Sequence, residues 1–538
     1  MTLTRVRHRH EGQVPRRHRS GVKAVLSLAT AGSLALALGG WASSVSAAPR
    51  ASSTVTMGTT DFIVSADPAG AYDLPSWTLI YNVYQTLLQV PPGTTAIAPE
   101  AASCAYHGTT TYVCKLIGHQ KFSNGDALNG KDVVYSFQRV LKIASPNGPS
   151  SLLAPMKSVS AVGNTVTFKL KAPDSTWPYV LTTAAGALVD SKVFPFKSLK
   201  PDAGVIGSGP YELHSYTSDQ LAVFKPNPHY GGTDKLHNGE FIIRYEQNAT
   251  TLVSDVESSA VDVAYRDLTP TELRGLSHSP GIKIVYGKGI EIRYITFNLH
   301  VMPGGTTAKK FAIRRAIAYL VNRQSQVKNV YDGTVTPLYS LIPNALSGHT
   351  NSFQTRYGGS PSLSKAKAVL KGAGITKKVS FTLWYNTNHY QDTDEAVEIQ
   401  RELDSSGLFN VSLASAEWTT YSTAALTNQY GVFLFGWFPD YPDADDYTSP
   451  FLECNTNFLN DHFCNHAIDV QIAKEESTSN VSVRDAAFAR IQADTAAGLP
   501  LIPLWQGGQV AAIRKNVTGV QSTLDPSYTF RFWLVGKS

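Results

Sequence analysis

Four segments of this chain are apolar almost without interruption: KIVYGKGIEIRYITFNL (residues 283–299), KKVSFTLWYN (377–386), GVFLFGWF (431–438) and PLIPLW (500–505). An extended segment that is apolar on both faces has to be covered on both, so each reads as a strand inside a sheet. Helical spacing occurs between and around them. In GKDVVYSFQRVLK, Val133, Val134, Phe137, Val140 and Leu141 recur at helical intervals behind Asn129, a suitable N-cap. FAIRRAIAYLVNR places Ile313, Ala316, Ile317, Leu320 and Val321 in the same way. SLSKAKAVLKGAG, DEAVEIQRELDSSG and RDAAFARIQADTAAG each end on a glycine, Gly374, Gly407 and Gly498, placed for a left-handed C-terminal cap. TYVCKL and NTVTFKL alternate apolar and polar residues as half-buried strands do. The fold class is α/β, with both element types mixed irregularly in large lobes and no tandem repeat.

The N-terminus is of another kind. MTLTRVRHRHEGQVPRRHRSGVK carries seven Lys or Arg and one Glu, and an uncharged run from Ala24 to Pro49 closes on SSVSAAP. That is the layout of a secretory signal peptide, with Val45 and Ala47 at the small-residue cleavage positions. Residues 1–47 are therefore expected to leave the mature chain, which begins near Ala48 and is exported. The run is also long enough to span a membrane, so an uncleaved anchor stays open. The whole chain has 47 basic and 41 acidic residues, numbers that become equal once the leader is set aside. The basic excess belongs to the leader, and the mature chain lacks the electrostatic footprint of nucleic-acid binding. About 490 mature residues imply two or more hydrophobic cores.

In an oxidising compartment, the local pairs Cys104 with Cys114 and Cys454 with Cys464 are expected to close as disulfides. For the second pair a metal site with His462 and His466 is the rival, although neither standard zinc spacing is present.

Read in order, several blocks resemble one family. KFSNGDALNGKDVVYSFQRVL, GSGPYELHSY with FKPNPHYGG, ITFNLH followed by IRRAIAYLVNR, FGWFPDYPDADDY and GLPLIPLW are similar to the successive blocks of the extracytoplasmic solute-binding proteins of dipeptide, oligopeptide and nickel importers, family 5. The resemblance covers essentially the whole mature chain. It implies a two-lobed, periplasmic-binding-protein-like fold of type II, whose hinge closes a cleft around a ligand. The first lobe (48–296) would carry an extra subdomain, the second would span 297–504, and residues 505–538 would return to the first. The chain would cross near Tyr294 to Asn298 and return near Trp505. It also implies a binding protein with no cofactor, a monomer that hands its solute to the permease of an ATP-driven importer. One departure concerns anchoring: LGGWASS has Trp41 where lipid-anchored members carry a cysteine.

The block FGWFPDYPDADDY sets Asp440, Asp443, Asp445 and Asp446 behind a run of aromatic residues. A calcium loop fails here, because counting from Asp443 the fifth and sixth positions are Tyr447 and Thr448 rather than a ligand and a glycine. Two carboxylates flanking a bond would suit a secreted hydrolase, yet no nucleophile elbow, metalloprotease helix or phosphate loop supports one. The family resemblance assigns Asp440 to the α-ammonium group of a peptide, while Asp445 and Asp446 read as loop residues facing solvent. Gly436 would offer a main-chain edge, Trp437 and Phe438 an aromatic wall, and DFIVSADPAG the opposite edge through Ile63, Ser65 and Asp67. Arg293 lies near the crossing, but no arginine is singled out for a ligand carboxylate. Alternatives on the same fold are a nickel chelate, a haem-like compound or an oligosaccharide.

Overall fold

The computed structural model describes residues 53–387 and 391–538; the expected signal peptide and its cleavage point lie outside them. Among the described residues no helix is long and apolar enough to cross a membrane. Two long antiparallel strands, Ile282–Phe297 and Leu501–Arg514, form the axis of an 11-stranded sheet. Their pairing breaks register between Gly287 and Glu291. On one side of that break, Leu501–Arg514 pairs with Val263–Tyr265, and the sheet continues through Thr54–Thr59, Glu240–Tyr245, Leu221–Pro226 and Tyr211–Thr217. On the other side, Ile282–Phe297 pairs with Val432–Trp437, followed by Val379–Asn386 and Phe409–Ala416.

Each half has its own core, so the molecule is two-lobed. Val55, Trp77, Tyr211, Phe224 and Phe241 pack in the first lobe together with Phe530, Phe532 and Trp533 from the end of the chain. In the second lobe, Ile313, Ile317, Leu383, Ile399 and Trp505 form one cluster, and Tyr294, Phe433, Phe451 and Ile468 form another. A four-stranded antiparallel sheet, Ala102–Tyr106, Thr111–Leu116, Thr165–Leu170 and Met156–Val162, covered by helix Gly130–Ile143, makes the extra subdomain. Its core contains Phe122, Phe137, Phe168 and Trp177.

Local chemistry explains most of these elements. Helix Gly130–Ile143 opens on a capping box in which Asn129 and Asp132 satisfy each other's backbone N–H groups. It buries Val133, Phe137 and Val140, whereas Leu141, expected on the same face, is exposed. The opposite side of this helix buries Arg139, a cation placed there by its ion pair with Asp67. Gly374 and Gly407 take the left-handed conformation expected of them, but Gly498 does not: helix Val481–Gly498 ends through Leu499 at φ 55°. The reason is packing, since a Cβ on Gly498 would meet the Phe463 ring at 2.6 Å.

Both cysteine pairs are closed, Cys104 to Cys114 across adjacent subdomain strands and Cys454 to Cys464 in the second lobe. The second closure overturns the metal alternative, because joined sulfurs are not thiolate ligands. His462 instead lies 2.6 Å from the Asn428 amide oxygen, and His466 is 2.9 Å from Asp469.

Candidate functional site

Strand Val432–Trp437 pairs along its full length with Ile282–Phe297, but meets Val379–Asn386 only at Val432 and Phe433. From Leu434 to Trp437 its second edge carries no strand pairing among the described residues. An edge of this kind is a template for an added extended chain. Gly436 and Trp437 lie at its end.

Gly436 has a specific packing role. A Cβ there would lie 1.7 Å from Arg293 Nη1, so the missing side chain lets the guanidinium lie flat against the strand. Arg293 is fully engaged: it pairs with Glu291 at 2.8 Å and sits 5.3 Å from the Phe438 ring and 5.7 Å from Trp505. Arg266 of the first lobe also lies over the Phe438 ring, at 4.8 Å, and is in turn paired with Asp61. Phe438 thus meets two guanidinium groups. Trp437 packs edge-on against Phe451 and Phe458 at 5.1 and 5.4 Å.

Beyond the strand the chain turns sharply, and the turn is built by the carboxylates. Asp446 accepts from Trp437 Nε1 and from the backbone N–H of Asp440, both at 3.0 Å, folding the loop back onto the strand end. Asp443 takes both arms of Arg484, at 2.8 and 2.6 Å, and accepts from the N–H of Asp445 at 3.0 Å. Asp445 and Asp446 are buried, which corrects the expectation that they face solvent. A carboxylate beside free backbone N–H groups organises a turn from within, so burial accompanies that role.

Asp440 is the exception. Its carboxylate accepts one hydrogen bond, from the Tyr72 hydroxyl at 2.6 Å, and no Lys, Arg or His among the described residues lies within ion-pair distance. Burial pushes its carboxyl up to about 7, and the Tyr72 hydrogen bond pulls partly against that. The neighbouring charge and burial raise the Tyr72 hydroxyl well above its ordinary value. A cavity of about 40 Å³ lies beside Asp440, lined also by Tyr81, Thr182 and Tyr441. An acid held at its titration point beside open space is suited to a cationic group.

The first-lobe segment meets Asp440 differently from the expectation. Strand Thr54–Thr59 ends before DFIVSADPAG, which is irregular apart from a short turn of helix, Pro68–Gly70. Asp67 is fully buried and bound by Arg139 Nη1 and Nη2 at 2.7 and 2.5 Å. Ser65 is buried too, accepting from the N–H of Asp67 at 3.0 Å. Both are committed to the scaffold, and Ile63 packs against the first-lobe core. The residue of this region that reaches Asp440 is Tyr72, which sequence reasoning missed; its only signal was an aromatic residue just beyond the quoted block.

A family profile described as "Bacterial extracellular solute-binding proteins, family 5 Middle" matches residues 101–458. The chain belongs to this family of solute-binding proteins. Its curated relatives include the peptide transport periplasmic protein SapA of Salmonella typhimurium, 25% identical over 478 residues, covering 82% of this chain and 84% of the relative. The dipeptide-binding protein of Escherichia coli is 24% identical, covering 81% of this chain and 86% of its own length. Heme-binding protein A of Haemophilus influenzae is also 24% identical, with 82% and 85% covered. Among solved structures, the periplasmic binding protein DppA of Helicobacter pylori, in complex with the peptide STSA, superposes with a TM-score of 0.79 at 20% identity, covering 90% of this chain and 98% of that one.

Proposed function

We propose that this solute-binding protein captures short peptides between its lobes and delivers them to the permease of an ATP-driven importer outside the cytoplasm. The observation that carries the reading is Asp440: a carboxylate without a cation partner among the described residues, beside a cavity and just past a strand whose second edge has no strand pairing from Leu434 on. The edge would pair with the peptide backbone irrespective of sequence, and Asp440 would fix the register by holding the α-ammonium group. The names of the relatives, two for peptides and one for haem, support a peptide first and leave a haem-like cargo as the second reading. The solute-binding family argues against hydrolysis by the aspartate loop, and a chromogenic substrate panel checks this: no turnover is expected.

The deciding experiment is a calorimetric cycle with a tripeptide, free or N-acetylated, and native protein or Asp440→Asn. Hydrogen bonds to charged groups contribute about 1.5–3 kcal/mol, which is roughly 10- to 100-fold in affinity. Either change alone should weaken binding by that factor, and the second should add little once the first is made, because both delete the same contact. If acetylation leaves the native affinity intact, or the two losses add, Asp440 does not anchor a peptide terminus.

A further inference from the structure

The loop that carries Asp440 also forms a seam with the extra subdomain. Tyr441 packs into the subdomain core and stacks on Tyr179 at 5.7 Å. Next to it, Ser175 of the subdomain meets the C-terminal end of second-lobe helix His466–Glu476. The Ser175 N–H donates to the Glu476 carbonyl at 2.7 Å, and its hydroxyl donates to the Glu475 carbonyl at 3.2 Å.

Beneath this contact the side chains are mostly acidic. Asp445, Glu475 and Glu476 bring carboxyl oxygens within 4.8 Å of one another. Asp443 on the same loop, and Asp174 and Glu453 from two other segments, add their charges, and the Tyr441 hydroxyl contacts Asp445 at 3.3 Å. One cation, Arg484, faces the group, and it is already shared between Asp443 and Glu475 at 2.6 and 2.8 Å. Glu475 and Asp445 are buried, yet Glu475 Oε1 and Asp445 Oδ1 have no hydrogen-bond partner among the described residues. Two buried carboxylates left bare and facing each other would carry both a desolvation and a repulsion cost. One proton removes both costs, turning two orphan acceptors into an acid–carboxylate hydrogen bond.

We propose that Glu475 and Asp445 hold a single proton between them, and that this proton fastens the seam between the extra subdomain and the second lobe. The proton belongs mainly to Glu475, whose carboxyl is pushed up to about 12 by burial and then by the Asp445 charge, with Arg484 pulling the other way. Asp445, also raised by burial, reaches only about 6. When the seam opens to water, Glu475 regains the ordinary range of a glutamate and releases the proton above about pH 4.5. Opening therefore becomes easier as pH rises, by one proton per event. The inference is independent of which solute the cleft takes.

Glu475→Gln is the discriminating variant: its amide N–H donates to Asp445 in place of the proton, while its carbonyl continues to accept from Arg484. Hydrogen exchange of the Ser175 amide reports seam opening in the intact mature protein. Between pH 6 and 8, the ratio of the native rate to the Glu475→Gln rate should rise about tenfold per pH unit. Urea unfolding over the same range gives a second readout, with the native protein losing stability relative to Glu475→Gln, and Asp445→Asn also losing the extra pH dependence. The infrared band of a protonated carboxylic acid at pH 8 should be present in the native protein and reduced in both variants. A flat exchange ratio together with parallel unfolding curves overturns the proposal. So does a native seam that loosens on adding a chelator, since a bound cation would then be filling the place of the proton.

Discussion

Asp67 and Asp440 lie on opposite sides of the molecule's midline, one in each lobe, and both occupy tight turns next to a proline. Asp67 is saturated: besides both arms of Arg139 it accepts from the N–H groups of Ala69 and Lys200 at 3.0 and 2.7 Å. Asp440 has one hydroxyl at 2.6 Å and open space. The same side chain is scaffold where its lone pairs are used up and, on the proposed reading, a binding group where they are not. The difference lies in whether a distant segment, here the helix bearing Arg139, supplies a cation.

The largest test of that contrast is Asp67→Ala, which strands Arg139 in a dry site. Breaking a buried pair from one side costs about 3–5 kcal/mol, so the urea midpoint should fall steeply; an unchanged midpoint would erase the distinction. Asp440→Asn should behave in the opposite sense without ligand. The folded-state carboxyl titrates at about 7 and the unfolded one near its ordinary value of about 3.9. The native protein therefore loses stability as pH rises between these values, and the Asn variant does not. Thermal scans should superpose near pH 4 and show the Asn variant equal or more stable at pH 8.

Ligand affinity sharpens the comparison further. Binding of an ammonium needs the carboxylate form, so affinity should fall about tenfold per pH unit below 7, and fall again as the peptide amine deprotonates above about 8. The smallest expected effect belongs to Tyr72→Phe. Losing one hydrogen bond to the carboxylate, about 1.5 kcal/mol at the low end for a charged acceptor, raises the Asp440 carboxyl further, so affinity at pH 7 should drop several-fold and the acid limb of the profile should move upward. A profile that stays in place would remove Tyr72 from the site.

The strands and most helices were legible because their patterns are local: continuous apolar runs, capping residues and helical spacing each act within a dozen residues. The solute-binding fold was legible from the order of its blocks. What escaped was set by partners far along the chain. Asp67 was read as a ligand contact because nothing near it announces Arg139, 72 residues on. Asp445 and Asp446 were read as solvated because a run of acids looks hydrophilic, while their partners are a backbone N–H, an indole and a tyrosine hydroxyl. Gly498 read as a cap, but its lack of a side chain serves Phe463 across the lobe. Tyr72 escaped for the same reason: a single hydroxyl 368 positions from Asp440 leaves no local pattern.

The two axial strands also bear on how the chain acquires its structure. Ile282–Phe297 needs Leu501–Arg514 as its neighbour, and the core around Val55 is completed by Phe530, Phe532 and Trp533. Neither lobe can finish before the last few dozen residues leave the ribosome. Contacts of such long sequence separation slow folding, and a slow start keeps the polypeptide thread-like while it is made. That is the state in which a translocation channel can accept it, and the sheet that later joins the lobes is also what delays them.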